Sequence, residues 1–239
     1  MSETITFPAK FNGGVGYAQG GYVAGKLSGL LDGPAYTTFR APTPLETPLT
    51  IKREQGGVQI HTSEGVLTAQ AVSKAIEIMA PPCPDRDAVV VARPGYRGYD
   101  DEGGNTCFVC SPHREPGECM QVHAAPVSDA VVACLWQPED KYAEDGIVRP
   151  EFVWSVLDCP SGFGAMINFS KEQGPAMTGG LGAKLIHPIS INEEYIAMGW
   201  HIASDGRKHS AGSAIYSAGG KLMAIAESLW IELRQPSVS

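Results

Sequence analysis

The chain has 239 residues, of which 43% are hydrophobic and 18% charged, and its formal net charge is −8. This length and composition allow one large or two small globular domains, each with a buried core. Because an acidic chain repels phosphate backbones, we expect no nucleic-acid partner.

The sequence contains no apolar run of about 20 residues, the length that a membrane-spanning helix needs. Residues 1–10 also lack the charged-then-apolar order of a signal peptide. We therefore expect a cytoplasmic protein without a membrane partner, whose six cysteines stay reduced.

The first predicted element is a helix over residues 20–31, entered through Gln19-Gly20-Gly21. Its apolar residues recur at intervals of three and four positions, as on one face of a helix. Its glycines recur every fourth residue, and glycine lets another backbone approach closely. We expect a buried helix that packs against a sheet.

Four runs after this helix predict the strands of an antiparallel sheet. They cover residues 36–41, 49–53, 58–62 and 66–73. A Ser-Glu-Gly turn joins the last two runs into a hairpin. A helix followed by antiparallel strands predicts an α+β unit.

Glycine, proline and charged residues are frequent in residues 83–106, which we interpret as a linker with a short helix over 85–92. The linker divides the chain into a first half, residues 1–82, and a second half, residues 107–239.

The second half is predicted to repeat the order of the first. A helix begins at Arg149, with Pro150 in its first turn, where proline is favoured. Strands are predicted over residues 118–122, 130–137, 181–186, 194–203, 210–217 and 222–233.

The last hairpin of the first half aligns with the last hairpin of the second at a constant offset of 155 residues, which pairs Ile60 with Ile215 and Gly65 with Gly220. Further matches fall on alternate positions, so the two hairpins share one face. Any two apolar hairpins look somewhat alike, but the order of helix and strands recurs as well. We interpret the chain as two fused copies of one unit.

Three segments resemble hotdog-fold thioesterases. Gln19-Gly20-Gly21 resembles the His-Gly-Gly entry of PaaI-type thioesterases, and residues 107–112 (CFVCSP) are similar to the CFVCG opening of uncharacterised thioesterase-like hotdog proteins. Residues 156–162 resemble the segment of the central helix that carries an acid in its middle. The resemblance implies an α+β fold of two tandem hotdog units, each a central helix wrapped by antiparallel sheet, that form an intramolecular pseudo-dimer.

In the resembled enzymes the acyl thioester lies between two hotdog units, and the catalytic acid follows the histidine by about nine residues. Counting nine back from Asp158 gives Arg149, and counting nine forward from Gln19 gives Ser28. The first half thus keeps the glycine entry, with glutamine in place of histidine, and the second half keeps the acid. The resemblance therefore implies one composite site between the halves.

The candidate catalytic residues follow from what thioester hydrolysis needs. Asp158 is the candidate general base or nucleophile. The backbone N–H groups of Gly20 and Gly21 are the candidate oxyanion donors, at the start of a helix. Three polar residues are candidates for orienting the water or the carbonyl: Gln19, Asn12 and Ser28.

Arg149 and Glu151 are candidates for substrate binding. Two alternatives without catalysis stay open. Gly20 and Gly21 would also suit a helix that only packs closely against a neighbour, and Asp158 would also suit the C-terminal cap of a helix that ends at residues 159–162.

Cys107, Cys110, Cys119 and His123 have the spacing of a zinc site. In the resembled proteins, however, the CFVC segment is ordinary apolar sequence that enters a strand. We therefore expect no metal and no cofactor, with coenzyme A present only as part of the substrate, and keep these four residues as the alternative zinc set.

The predicted function is an acyl-CoA thioesterase-like hydrolase that cleaves a small or medium acyl thioester. The first alternative is a non-catalytic acyl or acyl-CoA binding protein of the same fold. The second is a structural protein whose interface between halves is filled by side chains. The expected partners are acyl-CoA or another acyl thioester and further copies of the chain, bound through sheet edges or faces.

Overall fold

The structure is a computed structural model that describes residues 3–100, 104–115, 117–169 and 174–233. Its strands are β1 (Thr4–Ile5), β2 (Asn12–Gly14), β3 (Tyr17–Ala18), β4 (Ala35–Phe39), β5 (Leu49–Glu54), β6 (Gly57–His61), β7 (Leu67–Ser73), β8 (Ala125–Pro126), β9 (Val131–Trp136), β10 (Ala143–Glu144), β11 (Ile147–Val148), β12 (Ala176–Leu185), β13 (Tyr195–Asp205), β14 (Lys208–Ser217) and β15 (Leu222–Glu232). Its α-helices are α1 (Gly20–Ser28), α2 (Arg86–Ala92) and α3 (Pro150–Ala165). Within these described ranges no helix is both long and apolar enough to cross a bilayer.

One long antiparallel sheet runs through both halves, in the order β1-β5-β6-β7-β4-β12-β15-β14-β13-β9-β8. At the middle of this sheet β4 pairs with β12, and Thr37 lies opposite Leu181. Outward from this pair the strand order is β4-β7-β6-β5-β1 on one side and β12-β15-β14-β13-β9 on the other. Each half therefore has the same topology, related by an approximate twofold axis between β4 and β12.

The predicted repeat of the last hairpins is confirmed in their register. Ile60 pairs with Ala69 in the first half, and Ile215 pairs with Ala224 in the second. In both hairpins the register shifts directly after the isoleucine. The turn glycine has a positive φ in each, 82° in the first and 76° in the second. The two copies thus share turn, pairing and bulge.

Helices α1 and α3 lie against each other, and α3 also packs on β13 and β14. The glycines of α1 make this approach possible. A Cβ on Gly25 would lie 2.5 Å from the Cα of Glu151, and a Cβ on Gly21 would collide with the carbonyl of Trp154. The glycine spacing in the sequence therefore serves close helix packing.

Helix α3 is longer than its sequence indicates, because it continues through Pro160 to Ala165. Asp158 lies inside this helix, so the interpretation of Asp158 as a C-terminal cap is wrong. A proline removes one helical hydrogen bond and usually ends a helix. Here the helix is enclosed by the sheet, and Gly199 of β13 has no Cβ that would meet the Pro160 carbonyl.

Residues 74–124 connect the two halves, and the predicted linker, residues 83–106, lies within them. The strand predicted over residues 118–122 is wrong. The backbone N–H groups of Met120 and Val122 donate to carbonyls of Phe108 and Val109 instead of to a neighbouring strand. This segment is an irregular coil that holds the CFVC turn in place.

Candidate active site

The carboxyl group of Asp158 lies where the start of α1 meets the middle of α3. Its Oδ2 accepts hydrogen bonds from Gln19 Nε2 at 2.7 Å and from the Gly21 N–H at 2.9 Å, and its Oδ1 accepts one from Thr178 Oγ1 at 3.0 Å. The side chain is buried, with 2% of the residue exposed. The first half supplies Gln19 and Gly21, and the second supplies Asp158 and Thr178.

The side chain of Gln19 is held in one orientation. It is the N-cap of α1, and its Oε1 accepts a hydrogen bond from the Tyr22 N–H at 2.7 Å. Because a backbone N–H can only donate, the oxygen must lie there and the Nε2 must face Asp158. Gln19 therefore caps the helix and donates to the carboxylate at the same time.

Burial raises the pKa of Asp158 to about 7 from an ordinary value of 3.8. The Gly21 N–H and the Thr178 hydroxyl stabilise the anion and lower the pKa part of the way back, while the nearby Cys107 raises it further. A carboxyl group with a pKa near neutrality can accept and release a proton at neutral pH. This environment suits a general base.

A helix begins with four N–H groups that have no partner inside it. Three of those in α1 have acceptors elsewhere: Gln19 donates to the Phe11 carbonyl, Gly21 to Asp158 and Tyr22 to the Gln19 side chain. For the fourth, the N–H of Gly20, no atom of the described residues is an acceptor. Gly20 thus offers one free amide at the positive end of the helix dipole.

A cavity of about 550 Å³ lies beside this group, and Gln19, Gly20, Asp158 and Thr178 are in its wall. Much of the remaining wall is apolar, from both halves: Phe39, Phe163, Met166, Met177, Trp230 and Ile231. This volume and lining are typical of small-molecule sites, in which a few polar groups orient a mostly apolar ligand.

Ser28 and Asn12 are not brought to the cavity. The Ser28 hydroxyl lies at the other end of α1 and donates to the Gly25 carbonyl at 2.9 Å. The Asn12 amide donates to the Thr106 carbonyl at 2.9 Å and accepts from Arg114 at 2.7 Å. Both side chains therefore make structural hydrogen bonds outside the Asp158 group.

Arg149 and Glu151 also lie outside the cavity, at the start of α3, about two helical turns from Asp158. Arg149 is the N-cap of α3, as Gln19 is of α1. In place of Gly20 and Gly21 this position has Pro150, which has no N–H, and Glu151. One residue further along α3, the ring of Phe152 contacts four other aromatic rings: Phe11, Tyr22, Phe108 and Tyr142.

Sequence reasoning missed Thr178. The strand that holds it, β12, begins at Ala176, five residues before the predicted start at Leu181. The contact of Thr178 with Asp158 depends on how β12 lies over α3. Nothing in the local sequence, Met-Thr-Gly-Gly, indicates that contact.

The sulfur atoms of Cys107, Cys110 and Cys159 lie within 4.8 Å of one another in the cavity wall. The alternative zinc set is not assembled, since Cys119 donates to the Val109 carbonyl and His123 stacks on a tyrosine ring. The pKa of Cys110 lies well below its ordinary value, because Cys107, Cys159 and Asn105 donate hydrogen bonds to its sulfur.

No protein-family model matches the chain, and no curated protein matches it in sequence. Several solved structures match its fold. The TesB protein of Mycobacterium avium subspecies paratuberculosis has a TM-score of 0.62 at 11% identity, over 97% of this chain and 92% of that one.

An acyl-CoA thioesterase II from Mycobacterium marinum has a TM-score of 0.59 at 14% identity, over 92% of this chain and 90% of its own. A hotdog-fold protein of unknown function from Alicyclobacillus acidocaldarius has a TM-score of 0.57 at 13% identity, over 98% and 93%. At these identities the likeness concerns the fold alone. The chain therefore has the hotdog fold that its sequence predicts, with two hotdog units in tandem.

Proposed function

We propose that this protein hydrolyses acyl thioesters, with acyl-CoA as the substrate class, at one active site between its two halves. The observation that carries the proposal is the buried Asp158 carboxyl, held by Gln19, Gly21 and Thr178 in the wall of a large, mostly apolar cavity. The names of two structural neighbours, a TesB protein and an acyl-CoA thioesterase II, support the same reaction class.

Asp158 is the general base in this proposal. Its carboxylate takes a proton from a cavity water, and the water oxygen attacks the thioester carbonyl. The C–S bond then breaks, and the leaving thiolate takes the proton back from Asp158. The products are a carboxylic acid and a thiol. Gln19 and Thr178 hold the carboxylate in place, and Oδ1, with one donor, keeps a lone pair for the water.

The N–H of Gly20 is the oxyanion donor. Because its three neighbouring amides are bonded within the protein, it is the group at this helix end that is free to donate to a carbonyl oxygen. Negative charge developing on that oxygen is stabilised by the hydrogen bond and the helix dipole. This replaces the sequence-based assignment of Gly21 to the same role, since Gly21 donates to Asp158.

Different parts of the cavity wall suit the two parts of an acyl-CoA, the acyl chain and the coenzyme. The aromatic and sulfur-containing side chains suit a small or medium acyl chain. The exposed Arg40 also lies in the wall and offers a cation for the phosphates of coenzyme A. We place the activity in the cytoplasm, which the six free cysteines support.

The test is to incubate the purified protein with acyl-CoAs from acetyl to palmitoyl and to follow released coenzyme A by chromatography. We expect hydrolysis by the wild type, and also by Asp205→Asn, which changes an exposed acid far along the chain. The proposal fails if no acyl chain is cleaved, or if Asp158→Asn hydrolyses the best substrate as fast as the wild type.

Binding without hydrolysis is the rival function, because both oxygens of Asp158 already accept hydrogen bonds from the protein. A non-hydrolysable acyl-CoA thioether separates the two functions. If it raises the Tm of the wild type while no acyl-CoA is cleaved, the protein is a binder.

A further inference from the structure

Three cysteine sulfurs meet in the cavity wall beside the proposed active site. Cys107 and Cys110 come from the turn after the linker, and Cys159 comes from α3. The sulfurs of Cys107 and Cys159 are 3.8 Å apart, and all three lie within 4.8 Å of one another. All three residues are buried as free thiols. The fold therefore gathers thiols from segments that are about 50 residues apart.

Each of the three sulfurs faces an N–H donor. The distances are 3.4 Å from the Val109 N–H to Cys107, 3.6 Å from Asn105 Nδ2 to Cys110 and 3.8 Å from Gln19 Nε2 to Cys159. Such donors stabilise negative sulfur and are typical of the shell around metal-bound thiolates. A cysteine that only fills a core behaves as a small apolar side chain and needs no donor.

We propose that Cys107, Cys110 and Cys159 together bind one soft metal ion, for which Zn²⁺ is the natural probe. Thiolate sulfur selects soft or borderline cations such as Zn²⁺ and Cu⁺. With Zn–S bonds of about 2.3 Å, tetrahedral geometry places two sulfurs about 3.8 Å apart. Cys107 and Cys159 already have this separation. Each thiol that coordinates the ion releases its proton to solvent.

Three protein ligands leave a fourth position on a tetrahedral ion. Because the three sulfurs lie in the cavity wall, the fourth ligand comes from the cavity, as a water molecule or a thiol. An open fourth position distinguishes this site from a closed structural zinc site. The inference is independent of the proposed hydrolysis, because it rests on the sulfur positions and their N–H donors and on no catalytic role of Asp158.

The experiment uses the full chain, reduced with a phosphine and freed of metal by a chelator, and titrates it with Co²⁺ as a coloured substitute for Zn²⁺. We expect thiolate-to-cobalt absorption that saturates at one equivalent and disappears when Zn²⁺ is added. Cys110→Ser should weaken binding by at least about 100-fold. The control Cys134→Ser, a buried thiol of β9 outside the cavity, should bind as the wild type does.

A second measurement does not depend on any variant. Alkylation of the native wild type, with and without Zn²⁺, is read by mass spectrometry of its peptides. We expect Zn²⁺ to protect Cys107, Cys110 and Cys159. The proposal is overturned if the reduced wild type gives no thiolate–cobalt absorption, if Cys134→Ser loses binding as Cys110→Ser does, or if Cys119 is protected in place of Cys159.

Discussion

The two central helices begin at equivalent places in the fold, but the residues at their starts differ in chemistry. Residues 19–21 are Gln-Gly-Gly at the start of α1, and residues 149–151 are Arg-Pro-Glu at the start of α3. The first end offers a free amide and two donors to Asp158. The second has a proline without an N–H, and its arginine lies over the ring of Phe152 at 4.7 Å. A tandem repeat can thus keep two copies of a fold while building one site from both.

The strongest test of this difference moves the carboxylate from the second half to the first. Asp158→Asn keeps the size of the side chain but removes the base, so we expect kcat to fall by about 10³-fold. Adding Ser28→Asp to this variant places an acid at the corresponding position of α1. We expect no recovery, because Pro150 has no N–H to donate to a new carboxylate. Coenzyme A release measures both variants.

Recovery of activity in the double variant would mean that the two helix starts are equivalent, and the composite-site interpretation would be wrong. Ser28→Asp in the wild-type background is the control, since it should leave kcat within about twofold. The Ser28 side chain is only partly buried, so the fold should accept this change.

Glycine at position 20 gives the second prediction. A Cβ there would lie 2.9 Å from Thr178 Oγ1 and 3.1 Å from Asp158 Oδ2. Gly20→Ala should therefore displace the reacting water and lower kcat/KM by about 10²-fold. Gly29→Ala is the matched control at the other end of α1, where the nearest atom would be 3.6 Å away. Equal activities for the two variants would exclude Gly20 from the site.

The pKa of Asp158, raised by burial to about 7, gives the third prediction. A general base works when it is ionised, so kcat/KM of metal-free protein should rise with pH through about 7 and then level off. Thr178→Val removes a donor that stabilises the anion, so the rise should move to higher pH. The rate at neutral pH should fall by about tenfold, as expected for losing a hydrogen bond to a charged group. An unchanged profile would contradict this account.

The same pKa predicts how stability depends on pH. The folded state holds the Asp158 proton more tightly than the unfolded chain, whose carboxyl has the ordinary value of 3.8. The stabilisation of the folded state by this pKa shift is thus complete below about pH 4 and is lost as the pH rises through about 7. Asp158→Asn has no titrating carboxyl at this position and so does not lose this stability. In thermal denaturation, the Tm of the variant relative to the wild type should therefore rise between pH 5 and pH 8.

These predictions depend on residues that the sequence revealed to different degrees. Local periodicity was sufficient for the first four sheet strands after α1, which match their predicted ranges to within two residues. It failed at residues 118–122, where backbone bonds to the CFVC turn replace strand pairing. It also failed at Pro160, because enclosure by the sheet keeps α3 helical beyond a residue that normally ends a helix.

At the site, the sequence motifs indicated Gln19 and Asp158, which stand at recognisable places in their helices. Thr178 and Cys159 were not predicted as partners of these groups. Their proximity depends on how β12 and the CFVC turn pack against α3, which no local pattern encodes. Ser28 and Arg149 were overestimated because counting residues along a helix gives corresponding positions, not the surroundings that decide which position is functional.

The smallest predicted effect concerns the carrier of the acyl group. If Arg40 contacts the phosphates of coenzyme A, Arg40→Ala should raise KM for acyl-CoA by about fivefold, the value of an exposed ion pair of about 1 kcal/mol. The KM for the same acyl group on N-acetylcysteamine, which has no phosphate, should not change. Steady-state kinetics with both substrates test this. A similar rise in KM for both would mean that Arg40 shapes the cavity and does not recognise the carrier.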